Sequence, residues 1–341
     1  MERKLASVQI VESVEPIEGA DSIEKIRVLG WTLVARKDEF EVGDKCIYFE
    51  VDSVLPENSP VYGTDFSFLA SSKYRLKAKK LRGIVSMGLA IPTPDPNMRK
   101  SPETGLYGRN WEVGEDVTAE FGVTKWEPVE ALAMGDAKGT RPVYFPKTDE
   151  IRIQTIPNLF NELTDDDEYY ATVKYDGTSA SFFIKDGEFG VCSRNMELKE
   201  SDSSRYWAMA KKYKIQEHLA TCGENLCISG EICGPGIQKN RMGLKEVSLF
   251  VFDIFDIDKQ EYFSYEKLAE FLHHYDIPMV KEWPIWFPCP FEKLLEQSKG
   301  KYESGYPREG IVVRSKFNRF VQCLQGRLSF KVINPDFLLK E

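Results

Sequence analysis

Apolar residues in the first 125 positions come in short alternating runs, each closed off by glycine, proline or aspartate. Residues 4–14 alternate, Ile26-Arg27-Val28 and Trp31-Thr32-Leu33-Val34 continue the pattern, and Cys46–51 and Gly88–92 complete it. Gly30, Gly43-Asp44 and Pro56 mark the turns. Many short strands between glycine turns predict a small closed all-β barrel of five strands, OB-like in size. From Met98 to about Val143 the chain is rich in proline and glycine and loses its period, which reads as barrel tail and linker. Past Tyr144 the pattern mixes. Strands are predicted at 169–174, 178–184, 189–191, 226–232, 247–255, 310–314 and 329–333, with a hairpin turn at Lys185-Asp186-Gly187-Glu188. Helical spacing appears at 204–219, through Tyr206, Trp207, Met209, Ala210 and Tyr213, and at 265–275 behind a Ser264 cap. The domains expected are 1–125, an all-β barrel; 126–143, a linker; and 144–341, an α+β domain.

A chain of 341 residues has room for two cores, and 42% hydrophobic with 29% charged residues is an ordinary globular balance. The net charge of −9 excludes a generally basic nucleic-acid coat protein but leaves room for a local basic patch. No apolar run approaches the ~20 residues of a membrane helix, and charged Met1-Glu2-Arg3-Lys4 is followed by no secretory apolar stretch. Seven cysteines form no C-x-x-C pair and read as reduced, buried thiols of a cytoplasmic protein; the spacing of Cys222, Cys227 and Cys233 does not suit zinc. His218, His273 and His274 are the only histidines, and the adjacent pair reads as helix surface. Neither common nucleotide cradle is present: Gly300-Lys301 is followed by Tyr302, and Gly234-Pro235-Gly236 lacks a third glycine.

The chemistry begins at Val173-Lys174-Tyr175-Asp176-Gly177-Thr178, a lysine ending an apolar strand, then an acid and a turn glycine. Desolvation beside a core, helped by a metal ion on the acid, would lower the lysine pKa towards a nucleophilic amine. On this hexapeptide alone, a solvent-facing lysine beside a turn is the simpler reading. Three later fragments shift the balance. Gly230-Glu231 and Glu309-Gly310 place carboxylates in or beside apolar strands, and Phe330-Lys331 places a lysine within one. Charges there are costly unless paired or bound to metal or phosphate. Together they supply a nucleophile, carboxylates for a hard cation, and a cation for a phosphate.

In order, Lys174-x-Asp176-Gly177, Ser193-Arg194-Asn195, Gly230-Glu231, Phe252-Asp253-Ile254, Glu309-Gly310 and Phe330-Lys331 resemble motifs I, Ia, III, IIIa, IV and V of the covalent nucleotidyltransferases. These are the DNA ligases, RNA ligases and mRNA capping enzymes. The segment 145–154 resembles the lead-in of the RNA-ligase branches. With the barrel in front, the whole chain is similar to RNA ligase family 5. The resemblance implies an α+β nucleotidyltransferase domain of ATP-grasp-like antiparallel sheets with flanking helices. It implies an ATP-dependent RNA ligase that joins a 3′-OH to a 5′-phosphate, in RNA or an RNA-containing nicked duplex, as a monomer.

Lys174 would take AMP from ATP and later release it. Asp176, Glu231 and Glu309 would hold Mg²⁺ or Mn²⁺, Lys331 would neutralise the α-phosphate, and Phe252 would stack on adenine. Asp253 would assist sealing, Arg194 would contact the ribose or a strand end, and Arg152, Thr148 and Gln154 would touch nucleotide or leaving group. Many relatives carry lysine at both ends of the motif V triplet, and here the first position is Ser329, with Arg327 or Lys316 as candidate substitutes.

In the barrel, Lys73, Arg75, Lys77, Lys79, Lys80 and Arg82 put six cations in ten residues around Tyr74, a composition suited to a nucleic-acid groove. Leu81-Arg82-Gly83-Ile84-Val85-Ser86-Met87-Gly88-Leu89 resembles tRNA-binding OB modules. Two other readings stay open: an mRNA guanylyltransferase or DNA ligase, and an RNA-binding protein with an idle second domain. Domain order argues against the first, and the intact set of Lys174, Glu231, Glu309 and Lys331 against the second.

Overall fold

A computed structural model describes residues 3–57, 65–97, 109–126, 136–164 and 167–339. It divides into two compact units, Met1–Glu130 with Ile153–Pro157 and Leu338–Glu341, and Ala131–Arg152 with Asn158–Phe337. Much of the stretch read as tail and linker, 98–108 and 127–135, lies outside the described residues.

In the first unit, Ala6–Pro16 is the central strand of a five-stranded antiparallel sheet. Its first half pairs with Lys45–Phe49; past a bulge between Val11 and Ser13, its second half pairs with Ile23–Val28. A bulge bends a strand and increases its twist, so one long strand serves two directions and the sheet curls. Trp31–Arg36 and Leu89–Pro92 form the two edges. The predicted closed ring is a half-barrel: no ladder joins those edges, and the gap is bridged by Met87 N–H donating to the Thr32 carbonyl (2.9 Å) and Val34 N–H to Ser86 Oγ (3.0 Å). The core mixes aliphatic and aromatic side chains, with Phe49 packed edge-on against Phe66 and Phe121 at 5.6 and 5.5 Å.

The second unit holds two main sheets and a two-stranded one, Phe320–Val321 with Gly326–Arg327. The seven-stranded antiparallel one runs, edge to edge, Ala137–Thr140, Met196–Leu198, Glu188–Cys192, Thr178–Lys185, Leu226–Cys233, Ser248–Asp256 and Glu261–Tyr262. Its edge strand Ala137–Thr140 falls inside the stretch read as linker. The smaller sheet orders Ile151–Arg152, Ser329–Ile333, Gly310–Ser315 and Tyr169–Lys174, with only the first pair parallel.

Period-two alternation splits the large sheet cleanly. Ala180, Phe182, Ile228, Ile232, Leu249 and Val251 are buried in one core with Trp207, Leu219 and Leu272 from the helices Arg205–Lys212, Ile215–Cys222 and Tyr265–His274. Each Val, Leu, Ile or Phe side chain among them contributes about 1.5–3 kcal/mol on burial. The intervening Ser179, Ser181, Ser229 and Glu231 face the other way. The helix read at 204–219 is two helices, because Lys214 takes a left-handed φ of 47°. Ser264 caps its helix as expected, accepting from Lys267 N–H at 3.3 Å. Helix Phe291–Ser298 has no counterpart in the sequence pattern; only Leu294 and Ser298 of its eight residues are buried, too thin a stripe to read as a period. All seven cysteines are free thiols, five of them buried. Among the described residues no helix is long and apolar enough to cross a membrane.

Candidate active site

Lys174 ends its strand while Val173 and Ala171, on the opposite face, are buried. Its register partner is Gly310, and this pairing sets Glu309 beside it: Lys174 Nζ donates to Glu309 Oε2 at 2.7 Å. Position 310 requires glycine, since its φ is 150° and a Cβ would lie 2.1 Å from the Val332 carbonyl oxygen. Glu231 comes from the larger sheet. A Cβ on Gly177 would sit 2.4 Å from the Ile232 carbonyl oxygen and 2.8 Å from Glu231 Cγ, so the turn after Lys174 lies directly on the Glu231 strand. Asp176, in that turn, is buried and accepts from Arg241 Nη1 at 2.6 Å.

These charges set one another's ionisation. Burial pulls the Lys174 ammonium down, but Glu309, Glu231 and Asp176 outweigh it and leave the pKa above the ordinary lysine value. Burial pushes Glu231 up to about 8, with Lys174 opposing and Glu309 and Asp176 reinforcing. Burial and Glu309 also raise Asp176, against the pull of Arg241. The sequence argument for an amine neutralised by desolvation therefore does not hold for the protein alone: the surrounding carboxylates keep the proton on.

Among the described residues, no three acidic, histidine or cysteine side chains form a ready-made metal cluster. Glu309 is turned to Lys174 and Asp176 to Arg241. The donor set still suits a hard divalent cation. Glu231 and Asp176, both raised by burial and by the Glu309 charge, gain from positive charge placed among the three carboxylates, and oxygen is the ligand such ions take.

Strand register puts Lys331, Ser329, Arg314 and Arg152 on the face of the smaller sheet that carries Lys174. Arg152 is buried opposite Lys331. Ser329 Oγ donates to Glu150 Oε1 at 2.7 Å, and the same oxygen accepts from Arg314 Nη2 at 3.0 Å. Arg327 Nη1 donates to Asp253 Oδ1 at 2.7 Å and its Nη2 to Oδ2, while its guanidinium lies 3.5 Å over the Tyr262 ring. Two acids and two guanidiniums thus close a buried, balanced network. Neither candidate substitute for a lysine at 329 is spare: Arg327 is bound to Asp253, and Lys316 to Glu168 at 2.9 Å.

Phe252 and Asp253 owe their places to a β-bulge. Ser229 pairs with Asp253 and Gly230 with Val251, so Phe252 has no residue opposite it. The bulge leaves Phe252 half-buried, outside the helix-covered core, with the Arg314 guanidinium 5.8 Å from its ring centroid. Phe250 meets Tyr175 edge-on at 4.8 Å. Thr148 Oγ1 and Ser179 Oγ share a hydrogen bond of 2.6 Å, and Ser179 is the register partner of Glu231. Arg194 Nη2 donates to Asp149 Oδ1 at 2.6 Å. Gln154 belongs to the barrel unit, where its carbonyl accepts from Gly30 N–H at 3.0 Å.

In the barrel unit, Lys79–Leu81 and Ile84–Ser86 make a hairpin whose Arg82-Gly83 turn has positive φ at both residues, 46° and 84°. Lys73, Lys77, Lys79, Lys80 and Arg82 are exposed. Arg75 is not: it is buried against Asp52 (2.6 Å) with its guanidinium 3.4 Å over the Trp126 ring. It holds the fold together and leaves the displayed cations at five.

A family model described as RNA ligase matches residues 167–333, and one described as an OB-fold domain matches residues 5–93. Comparison with the curated proteins gives no match. A mutant of the Naegleria gruberi RNA ligase solved with ATP and Mn superposes with a TM-score of 0.86 at 32% identity, covering 99% of this chain and 99% of that one. The same ligase solved with PPi gives 0.85 at 32% identity, over 100% of this chain and 99% of that one. The chain belongs to the family of ATP-dependent RNA ligases. In this ligase the motifs do not show Arg241, Tyr302 or Arg314, and Arg327 stands out only as a candidate cation for position 329, not as the partner of Asp253. A buried acid in a motif demands a partner, which is a general signal for the arginines, but nothing in the sequence says which ones.

Proposed function

We propose that this RNA ligase seals 3′-OH/5′-phosphate breaks, in nicked duplexes whose 3′ strand ends in RNA, through AMP carried first on Lys174 and then on the 5′-phosphate. The observation that carries this reading is one sheet face on which Lys174 and Lys331 stand together, with Glu309 2.7 Å from the nucleophile. Lys174 Nζ bonds to the α-phosphorus of ATP as the bond to pyrophosphate breaks. An oxygen of the RNA 5′-phosphate then takes the AMP and frees Nζ. The 3′-hydroxyl finally attacks the 5′-phosphorus and AMP leaves.

At its ordinary pKa near ~10.4 a lysine is almost wholly protonated at neutral pH, and here it is held higher still. Glu231, Glu309 and Asp176 would hold a divalent cation, Mg²⁺ or Mn²⁺, directly or through water, and when bound it would offset the phosphate charge and lower the Lys174 pKa. Lys331 neutralises the α-phosphate and Phe252, turned out by its bulge, stacks on adenine. Asp253, held by Arg327, keeps that bulge in place for sealing. Arg152 and Thr148 contact nucleotide or leaving group, and Arg194 exchanges Asp149 for the ribose or a strand end. Lys73, Lys77, Lys79, Lys80 and Arg82 track the RNA backbone. The ligase works as a monomer in the cytoplasm, a reducing setting that the seven free thiols support.

The test is incubation with Mg²⁺ and α-labelled ATP or GTP, denaturation, and detection of label on the protein. ATP label that disappears in Lys174→Met supports the reading; GTP label points to capping chemistry instead. Nicked duplexes differing only in the sugar at the 3′ end then set the substrate. One ribonucleotide there is expected to suffice, and equal sealing of all-DNA nicks removes the RNA preference.

A further inference from the structure

The loop that precedes Glu309 is built more rigidly than a connection requires. It folds back on itself through a bridge between Lys301 and Pro307, with Tyr302 N–H donating to the Tyr306 carbonyl at 2.9 Å. Arg308, 1% exposed, anchors its base by donating to the carbonyls of Ser298 (2.9 Å), Gln297 (2.6 Å) and Lys299 (2.6 Å), which are orphan acceptors at the end of helix Phe291–Ser298. Asn334 ties the other side, donating from Nδ2 to the Arg308 carbonyl at 2.8 Å and from its backbone N–H to the Glu309 carbonyl at 2.9 Å.

Tyr302 lies inside this frame. Its hydroxyl donates to the Lys174 carbonyl at 2.7 Å and accepts from the Glu309 N–H at 3.1 Å. One oxygen, using its proton and a lone pair, therefore joins the backbone of the nucleophile to that of its carboxylate partner. The two residues are 135 positions apart in sequence and stand at the ends of neighbouring strands, where the ladder ceases to hold them.

We infer that Tyr302 is a positioning residue for the adenylylation of Lys174. It sets the Nζ–Glu309 geometry through the two backbones and touches neither nucleotide nor RNA. The inference rests on Lys174 being the nucleophile. A displacement of about 1 Å in a reacting pair costs on the order of 100-fold in rate, so losing one shared hydroxyl has room for a large effect. Bond formation between Nζ and the α-phosphorus is the step that depends on it. Joining a strand already carrying AMP on its 5′-phosphate makes no bond to Nζ and is expected to depend on it far less.

Tyr302→Phe keeps the buried ring and removes only the hydroxyl. Wild type, Lys174→Met, Tyr302→Phe and Tyr302→Trp are compared in single-turnover adenylylation over a range of ATP, and in sealing of a pre-adenylylated nick. Each is assayed at a temperature where circular dichroism shows it folded. For Tyr302→Phe the adenylylation rate at saturating ATP is expected to fall at least 10-fold, with half-saturating ATP and the pre-adenylylated reaction each changing less than 3-fold. Tyr302→Trp, whose ring N–H can donate but accepts nothing, is expected to lose at least as much. Wild-type adenylylation in Tyr302→Phe, or an equal loss in both reactions, overturns the role of Tyr302 alone. Absence of a wild-type adduct, or its persistence in Lys174→Met, overturns the nucleophile assignment and this inference with it.

Discussion

Charge is handled oppositely around Lys174 and on the barrel hairpin. Around Lys174 the ionic groups are withdrawn from water and matched: Arg241 and Asp176 are 6% and 9% exposed, and Arg327 and Asp253 are 12% and 8% exposed. On the barrel hairpin, Lys79, Lys80 and Arg82 stand in solvent around a tight turn. Desolvated charges are expensive unless geometry is exact to a few tenths of an ångström, so they specify positions. Solvated ones are cheap, mobile and screened by salt, so they supply attraction without register. The first arrangement suits bond making and the second suits holding a polyanion.

The sharpest way to break this contrast is to keep the charge and remove the chemistry. Lys174→Arg retains a cation for Glu309, yet a guanidinium is not deprotonated at working pH and does not serve as the nucleophile. Adduct formation, read by intact mass, is expected to fall at least about 1,000-fold, on the scale of removing a covalent nucleophile, while the Tm stays near wild type. Next in size is Arg327→Met. Removing one partner of a buried ion pair costs about 3–5 kcal/mol, read by denaturant unfolding. Adding Asp253→Asn to it is expected to restore part of the loss. If the single change leaves stability untouched, the network around Asp253 is not the buried, balanced set described.

Much of this is legible in the sequence, and the gaps have physical reasons. Strands such as Thr178–Lys185 and Leu226–Cys233 show themselves because alternation has a period of two, and Lys174, Glu231, Glu309 and Lys331 because charges in apolar strands are rare. The bulge at Phe252 is invisible, since it exists only in the register between two strands. Arg241 and Tyr302 reach their targets across 65 and 128 positions, from loops without a pattern. Arg75 misleads for the opposite reason. A run of cations shows that a segment is charged, not that one member is folded under Trp126.

A milder perturbation is pH. The folded pKa of Glu231, about 8, lies above the ordinary carboxyl value near ~4.3. Between those values the folded chain holds a proton that the unfolded chain has lost, so stability is greatest below this window and falls as pH rises through it. Asp176 is shifted in the same direction and adds to the trend. Without divalent cation, the Tm is expected to decline from about pH 5 to about pH 8, and Glu231→Gln to flatten that decline. Mg²⁺ is expected to raise the Tm most at the alkaline end, where the carboxylates are free of protons. A wild-type Tm that rises across the window contradicts the ionisation described for the site.

In the barrel unit, Lys79→Ala/Lys80→Ala/Arg82→Ala is expected to leave adduct formation unchanged and to weaken RNA binding in a salt-dependent way. Removing one cation that neutralises a phosphate lowers the slope of log affinity against log salt by about 0.7–0.9, so the triple change is expected to lower it by about 2–3. Arg75→Ala behaves differently if it is a fold residue: it lowers the Tm and leaves the slope alone.

The smallest effect separates the two kinds of charge within the catalytic unit itself. Ser329 stands where the motif V resemblance leads one to expect lysine, and its hydroxyl is committed to Glu150, which already accepts from Arg314. Ser329→Ala removes one hydrogen bond to a charged acceptor and is expected to cost about 1.5 kcal/mol, with adduct formation changed less than 3-fold. Were the hydroxyl instead to face the phosphates, the same change would slow adduct formation and spare the Tm. Measured together, unfolding free energy and single-turnover rate decide whether this position still belongs to the reaction or has passed to the scaffold that supports it.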